Sequence, residues 1–179
     1  LRTGYTSIMF DGSHMDIHEN IRITKSIVDA CIPAGIPVEA EIGKVGGKED
    51  KIDAGEGEYT DVDEAADFAD KTGVSSLAVA IGTAHGVYKG IPKLNYELLS
   101  RLRNALSIPL VLHGASGLPD EALTECIRRG ICKINFATEL RMAYTEGLKE
   151  FFAEKPESFD AKEYGRHARE KVMLKVMER

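Results

Sequence analysis

Five short apolar runs rich in β-branched residues punctuate the chain, over residues 5–10, 37–42, 77–81, 108–112 and 131–136. Their length, and the Gly, Pro and Asp residues around them, predict buried strands. Between the runs, apolar positions recur at helical spacing. Over residues 16–34, Ile17, Ile21, Ile27, Val28, Cys31 and Ile32 form one stripe, with Asp16 and Glu19 as a start signal and Gly35 as a stop. Thr60-Asp61-Val62-Asp63 opens a second helix that ends at Gly73, and a third carries Leu98, Leu102, Ala105 and Leu106. The fourth has Pro119 at its first helical position, presents Ala122, Leu123, Cys126 and Ile127, and stops at Gly130. A fifth begins at Thr138 or Glu139. Over 160–179, Tyr164, Ala168, Val172 and Val176 fall at helical spacing among many charges. That pattern predicts a terminal amphipathic helix lying on the body of the protein or on a partner subunit.

Strands alternating with helices every thirty residues or so imply right-handed βαβ units and a parallel sheet, an α/β architecture. The 179 residues hold five such units and are expected to form a single domain, 1–179. A complete (β/α)8 TIM barrel takes about 250 residues. The expectation is therefore an incomplete barrel with about the last five βα units, or a smaller open sheet. The opening RTGYTSIMF has the pattern of a helix end, a glycine turn and a strand, so further chain is expected before it. Residues 43–61 form the longest polar, glycine-containing stretch, expected to be a working lid or a disordered loop.

Composition narrows the partners. The net charge of −6 is spread along the chain without a basic stripe, which argues against nucleic acid. No run approaches the ~18 apolar residues of a membrane span, and the N-terminus lacks a signal-peptide pattern, so no membrane association and a cytoplasmic location are expected. Cys31, Cys126 and Cys132 form no CxxC pair and lie in or beside apolar patterns, which predicts buried free thiols.

In a parallel α/β protein, ligands sit beyond the carboxyl ends of the strands. The first strand delivers Asp11-Gly12-Ser13-His14 there, and the second carries Glu39 and Glu41 on one face ahead of Gly43. The next two end in Gly82-Thr83-Ala84-His85-Gly86 and His113-Gly114-Ala115-Ser116-Gly117, and the last in Asn135-Phe136-Ala137-Thr138. A strand-end histidine taken singly is more often a hydrogen-bonded structural residue. A matched pair at neighbouring strand ends, beside Glu41, favours a shared divalent metal for which imidazole suits zinc. His14 has the position of a mouth residue, His18 lies at a helix start, and His167 reads as a solvated residue of the terminal helix. The glycine turn Gly114–Gly117 ahead of Pro119 exposes backbone N–H groups suited to phosphate. Arg141 reads either as a contact for a second phosphate or as a surface cation.

The segments VEAEIGKVGGKED, AIGTAHGVYKG, LHGASG and KINFATELR resemble the metal- and substrate-binding segments of the class II, zinc-dependent fructose-bisphosphate and tagatose-bisphosphate aldolases. The resemblance runs from Tyr5 to about Phe152. It implies a (β/α)8 barrel, a homodimer or homotetramer when complete, and reversible cleavage of a ketose bisphosphate to dihydroxyacetone phosphate and glyceraldehyde 3-phosphate. It implies that His85 and His113 are two of three zinc-ligand histidines and that Glu41 is the carboxylate near the metal. Gly86, Gly114, Ser116, Asn135 and Thr138 would hold the dihydroxyacetone phosphate half, where a monovalent cation (Na+ or K+) is often bound too. Glu49 resembles the mobile catalytic acid, Arg141 falls where some members hold the far phosphate, and Asp11 resembles a mouth carboxylate.

The family's third zinc histidine and the aspartate that moves the C4 hydroxyl proton lie in an Asp-His segment of an earlier strand, which this sequence does not contain. The resemblance thus implies the C-terminal two-thirds of an aldolase, with activity expected of the complete protein. Ala137 stands where many fructose-bisphosphate enzymes carry aspartate, and NFATELR is closer to the tagatose-bisphosphate branch. Two other readings stay open at this point: a non-catalytic sugar-phosphate-binding fragment or subunit, and a metal-independent phosphosugar isomerase barrel.

Overall fold

The computed structural model describes residues 3–49, 52–53, 57–88, 90 and 92–179, with the backbone alone described at 48, 49, 52 and 53. Two compact units divide the chain, Leu1–Asn135 and Phe136–Arg179.

The first unit is built on strands β1 (Ile8–Asp11), β2 (Val38–Ile42), β5 (Ser76–Val79), β7 (Leu110–Leu112) and β8 (Ile131–Ile134). They form one parallel sheet in the order β1-β2-β5-β7-β8. Each strand neighbours the next in sequence, with no reversal of order, which is the winding of a barrel and not of a doubly wound sheet. All five expected strands are present, though shortened. Tyr5 and its neighbours at the first run's start are exposed, so that strand begins only at Ile8.

Helices α1 (Ile17–Cys31), α2 (Val62–Thr72), α3 (Tyr96–Ala105) and α4 (Asp120–Arg128) fill the connections. The Asp16 carboxylate caps α1 by accepting from the N–H groups of His18 and Glu19. Pro33 cannot continue the α-helical ladder, so the chain tightens into a 3-10 turn, Ile32–Ala34, and leaves through Gly35 at φ 72°. Pro119 sits just ahead of α4 as its cap residue, one position earlier than expected.

Alternation along the strands sorts their side chains into two faces. Ala40, Leu77 and Leu110 pair in one row, with Ile42, Val79 and Leu112 in register on the same face, and all six are buried. Together with Phe68, Leu99, Leu102 and Cys126 of the helices they make the core. The opposite face carries Glu39, Glu41, Ser76, Ala78, Val111 and Lys133.

The described residues of the polar stretch 43–61 include two short strands. Strands β3 (Gly46–Glu49) and β4 (Ile52–Asp53) pair antiparallel, and β3 also pairs in parallel with β6 (Ala84–His85). Lys44 and Glu58 close the excursion with a backbone bridge and an ion pair of 3.2 Å.

The second unit is an antiparallel-type pairing of α5 (Thr138–Glu154) with α6 (Ala161–Met177). Here the packing partner of the terminal helix is α5, where Gly147 lies so close that a Cβ would stand 2.7 Å from the Ala168 backbone. His167 is only partly solvated: it packs against the Phe151 ring and its Nε2 lies 3.4 Å from Glu150, which Lys171 also contacts. Cys31 and Cys126 are buried free thiols as expected, but Cys132 is exposed. No helix among the described residues is long and apolar enough to cross a membrane.

Candidate active site

From the start of β2 to the carboxyl end of β7, the polar face carries a buried ionic cluster. Glu39, Glu41 and His113 are only 5%, 2% and 6% exposed. His113 follows β7 and continues its alternation onto that face. Its Nδ1 lies 2.7 Å from Glu41 Oε2 and its Nε2 3.2 Å from Glu39 Oε1. Burial alone would lower the imidazole pKa, but hydrogen bonds to the two carboxylates and their charges outweigh it and raise it to about 9. His113 is therefore an imidazolium that donates from both nitrogens.

Glu39 is shared. Lys133 Nζ donates to its two oxygens at 3.0 and 2.8 Å, and Ser76 Oγ lies 3.4 Å away. Burial opposes the charge on Glu39, yet the hydrogen bonds and charges of His113 and Lys133 hold the carboxyl below its usual range.

Lys133 reaches this face because of a β-bulge. Leu110 pairs with Ile131, but Val111 pairs with Lys133, so Cys132 is left over between the two registers. In a regular strand Ile131 and Ile134 would face opposite ways; the extra residue keeps both in register with the apolar row and turns Lys133 toward Glu39.

His85 stands across from His113, with ring centroids 6.3 Å apart and planes tilted by 35°. Each is followed by a glycine of positive φ, Gly86 at 93° and Gly114 at 68°. At Gly114 the requirement is also spatial, because a Cβ would lie 2.7 Å from the Ala84 carbonyl oxygen. On the other side of His85, a Cβ on Gly47 would come within 2.2 Å of the His85 carbonyl. Three backbones are thus stacked in contact: β3, β6 and the turn after β7. Both His-Gly turns need glycine for its positive φ, and at Gly114 the close approach to Ala84 adds a second reason.

Two side chains hold the strand ends beneath. Asn20 of α1 donates through Nδ2 to the Glu41 carbonyl at 3.0 Å and is held by Thr24. Thr60 Oγ1 donates to the Ile42 carbonyl at 2.9 Å and accepts from the Ala80 N–H at 2.8 Å, linking β2 to β5. Beside them lies a cavity of about 250 Å³ bordered by Lys44, Gly46, Gly47, Tyr59, Gly82 and Thr83.

The other expected site residues are placed as follows. Asp11 ends β1, in register with Glu41, and accepts from Ser13 N–H at 2.9 Å. Ser116 is buried in the turn after His113. Asn135 closes the first unit, its N–H bonded to the Leu112 carbonyl at 3.0 Å. Thr138 opens α5 and Arg141 lies in its first turn, both in the second unit. The β3 backbone carries Glu49 two residues past Gly47, the partner of His85, while its side chain lies outside the described part of the chain.

Two imidazoles on one tetrahedral ion, each nitrogen ~2.0–2.1 Å from it, hold their ring centroids roughly 5 Å apart. His85 and His113 are wider than this by about an ångström, and both ring nitrogens of His113 face carboxylates, so holding one ion between the rings would take a closer approach, a deprotonated His113 and the release of one carboxylate. Among the described residues, no group of three or more His, Cys, Asp and Glu is arranged to hold a metal ion, so the pair would supply only part of a coordination shell.

Sequence reasoning noted Glu39 without giving it a role, and missed Lys133, Asn20, Thr60 and Tyr88. A lysine inside an apolar strand, facing the in-line pair Glu39 and Glu41, is the signal that marks the ionic cluster. The hydroxyl of Thr60 leaves no sequence signal, since its partners are backbone atoms about twenty residues away on either side.

The family model for class II fructose-bisphosphate aldolase matches residues 1–179. The chain is similar to the YdjI aldolase of Escherichia coli K12, at 44% identity over 99% of this chain and 60% of that one, with a TM-score of 0.82. It is also similar to a candidate fructose-1,6-bisphosphate aldolase from Coccidioides immitis, at 33% identity over 96% of this chain and 61% of that one, with a TM-score of 0.84. A fructose-bisphosphate aldolase of Campylobacter jejuni, 23% identical, shares the fold at a TM-score of 0.75 over 96% of this chain and 58% of its own. The chain spans about 60% of the length of these relatives, so its five βα units are an incomplete barrel of their kind. From its first residue to its last, the chain belongs to the class II fructose-bisphosphate aldolase family.

Proposed function

We propose that this chain is the C-terminal part of a zinc-dependent ketose-bisphosphate aldolase, which reversibly cleaves fructose or tagatose 1,6-bisphosphate to dihydroxyacetone phosphate and glyceraldehyde 3-phosphate. The observation that carries the proposal is the facing pair of His85, at the end of β6 in the small sheet, and His113, just past β7, with Glu41 bonded to His113. When bound, zinc would supply Lewis-acid stabilisation of the negative charge that develops as the C3–C4 bond breaks. His85 and His113 are the residues of this chain that would hold it, with Glu41 beside them.

The protein's own groups do the rest. Glu39 and Glu41 fix the His113 ring from both nitrogens, so its orientation is set before any ligand arrives. The turns containing Gly86, Gly114 and Ser116 present backbone N–H groups to the phosphate of the dihydroxyacetone half, and Asn135 and Thr138 complete that subsite, with a Na+ or K+ ion nearby. Glu49, tethered through the β3–β6 pairing to the His85 turn, exchanges a proton at the dihydroxyacetone carbon. Arg141 takes the far phosphate and Asp11 lines the mouth. Ala137 and the surrounding NFATELR segment favour tagatose bisphosphate. The working protein is a cytoplasmic homodimer or homotetramer.

The test is zinc content and retro-aldol turnover with both sugars, on this chain and on the protein extended to the full length of its relatives. Zinc and turnover in the extended form are the expected result. Phosphate-ligand binding without zinc or turnover in the extended form would replace the aldolase with a non-catalytic sugar-phosphate-binding relative. In the extended protein, His113→Ala should abolish both zinc binding and turnover.

A further inference from the structure

Tyr88 lies three residues beyond His85, outside every role assigned above. Its hydroxyl accepts from the Ala84 N–H at 2.9 Å and donates to the Gly114 carbonyl at 2.7 Å. Ala84 immediately precedes His85, and Gly114 immediately follows His113. We propose that Tyr88 is a positioning residue, a strut whose hydroxyl sets the gap between the His85 and His113 imidazoles and thereby the affinity for the metal they share. The inference rests on the reading of those histidines as metal ligands.

Three observations support it. A hydroxyl is a donor and an acceptor at once, so one oxygen ties an N–H of one turn to a carbonyl of the other, which no aliphatic or phenyl group can do. The turns it ties are in backbone contact, since a Cβ on Gly114 would stand 2.7 Å from the Ala84 oxygen; the strut therefore acts across a junction with little slack. The phenol ring is itself seated, lying 3.6 Å from where a Cβ of Gly117 would be. Half-buried, the hydroxyl also stays protonated, because burial pushes its pKa above the usual tyrosine value.

The experiment is zinc competition against a chromophoric chelator in the full-length protein, with the absorption spectrum of the cobalt(II)-substituted form as a second readout. Tyr88→Phe keeps the ring and is expected to weaken zinc binding by roughly 10–100-fold, the range for residues that orient metal ligands, and to alter the cobalt spectrum. Gly114→Ala, which splays the same two turns from the other side, should act in the same direction and serves if Tyr88→Phe does not fold. Phe68→Leu, a core change remote from both turns, controls for lost stability and should bind zinc as the parent does. Parent-like zinc affinity in Tyr88→Phe and Gly114→Ala, with affinity lost in His113→Ala, would overturn the strut while leaving the metal reading intact. Parent-like affinity in His113→Ala would overturn the metal reading and the strut with it.

Discussion

The two faces of the five-stranded sheet are equally buried along β2, where Val38, Glu39, Ala40, Glu41 and Ile42 are all shielded from solvent, yet they are held by different physics. The helix-side face, with Leu77, Leu110 and Leu112, gains from removing hydrocarbon from water and needs only volume and shape. The other face buries two carboxylates and an imidazolium, with a half-exposed lysine reaching in from its rim, and each buried charge is tolerable only because the others are within hydrogen-bonding reach. The apolar face tolerates approximate substitution. The ionic face is an all-or-none arrangement, which is why chemistry is built there and stability is not.

The largest effect separating the faces should come from Leu110→Ala. It is fully buried in the middle of the central strands, and its truncation is expected to cost about 2–5 kcal/mol in the denaturant midpoint. On the ionic face, Glu39→Ala leaves His113 and Lys133 short of a partner and should cost about 2–4 kcal/mol, with zinc affinity falling as well; a purely structural Glu39 would lower stability alone. Lys133→Met should cost less, about 1 kcal/mol, because the lysine side chain is 52% exposed and its pairing is screened. If Lys133→Met proves as damaging as Glu39→Ala, the lysine and not the histidine is the main partner of that carboxylate.

A pH experiment sharpens the contrast from the apolar side. Burial, with a smaller contribution from Glu125 and against the pull of Arg129, pushes the Cys126 thiol up to about 11. A group whose pKa is raised by folding contributes stability below its unfolded value of 9 and loses it as pH rises toward 11. The parent should therefore lose stability over pH 9–11 more steeply than Cys126→Ala; parallel curves would remove the thiol from the account. The smallest expected effect is kinetic. In the native protein a thiol reagent should modify Cys132 quickly and Cys31 and Cys126 only on unfolding, as seen by mass spectrometry.

Hydrophobic periodicity made the five strands, the helices and their order legible, since each follows from local pattern and from residues such as Asp16, Asp61 and Gly73 at helix ends. The two His-Gly turns and Glu41 stood out in the sequence as candidate chemistry, while Glu39 was noted without a role. The strands β3 and β4 were not, because Gly46, Gly47 and Lys48 carry no strand propensity; their order comes from pairing with a distant turn. Cys132 was read as buried from its apolar neighbours, whereas it is exposed and is the unpaired residue of a bulge that no pattern of period two reveals. The contacts of α6 with α5, and of His167 with Phe151, depend on a helix pairing that charge and spacing alone do not specify.

The extra residue at Cys132 also has a consequence for how related sequences are aligned and altered. A strand tells inside from outside only by whether a position is odd or even, and one inserted residue exchanges the two for everything after it. A gapless alignment of 131–134 with a strand lacking the insertion would assign Lys133 to the helix side and a neutral residue to the chamber, reversing the charge bookkeeping of the site. Carrying a cation through the sheet plane here takes one added residue and leaves both flanking isoleucines where the core needs them.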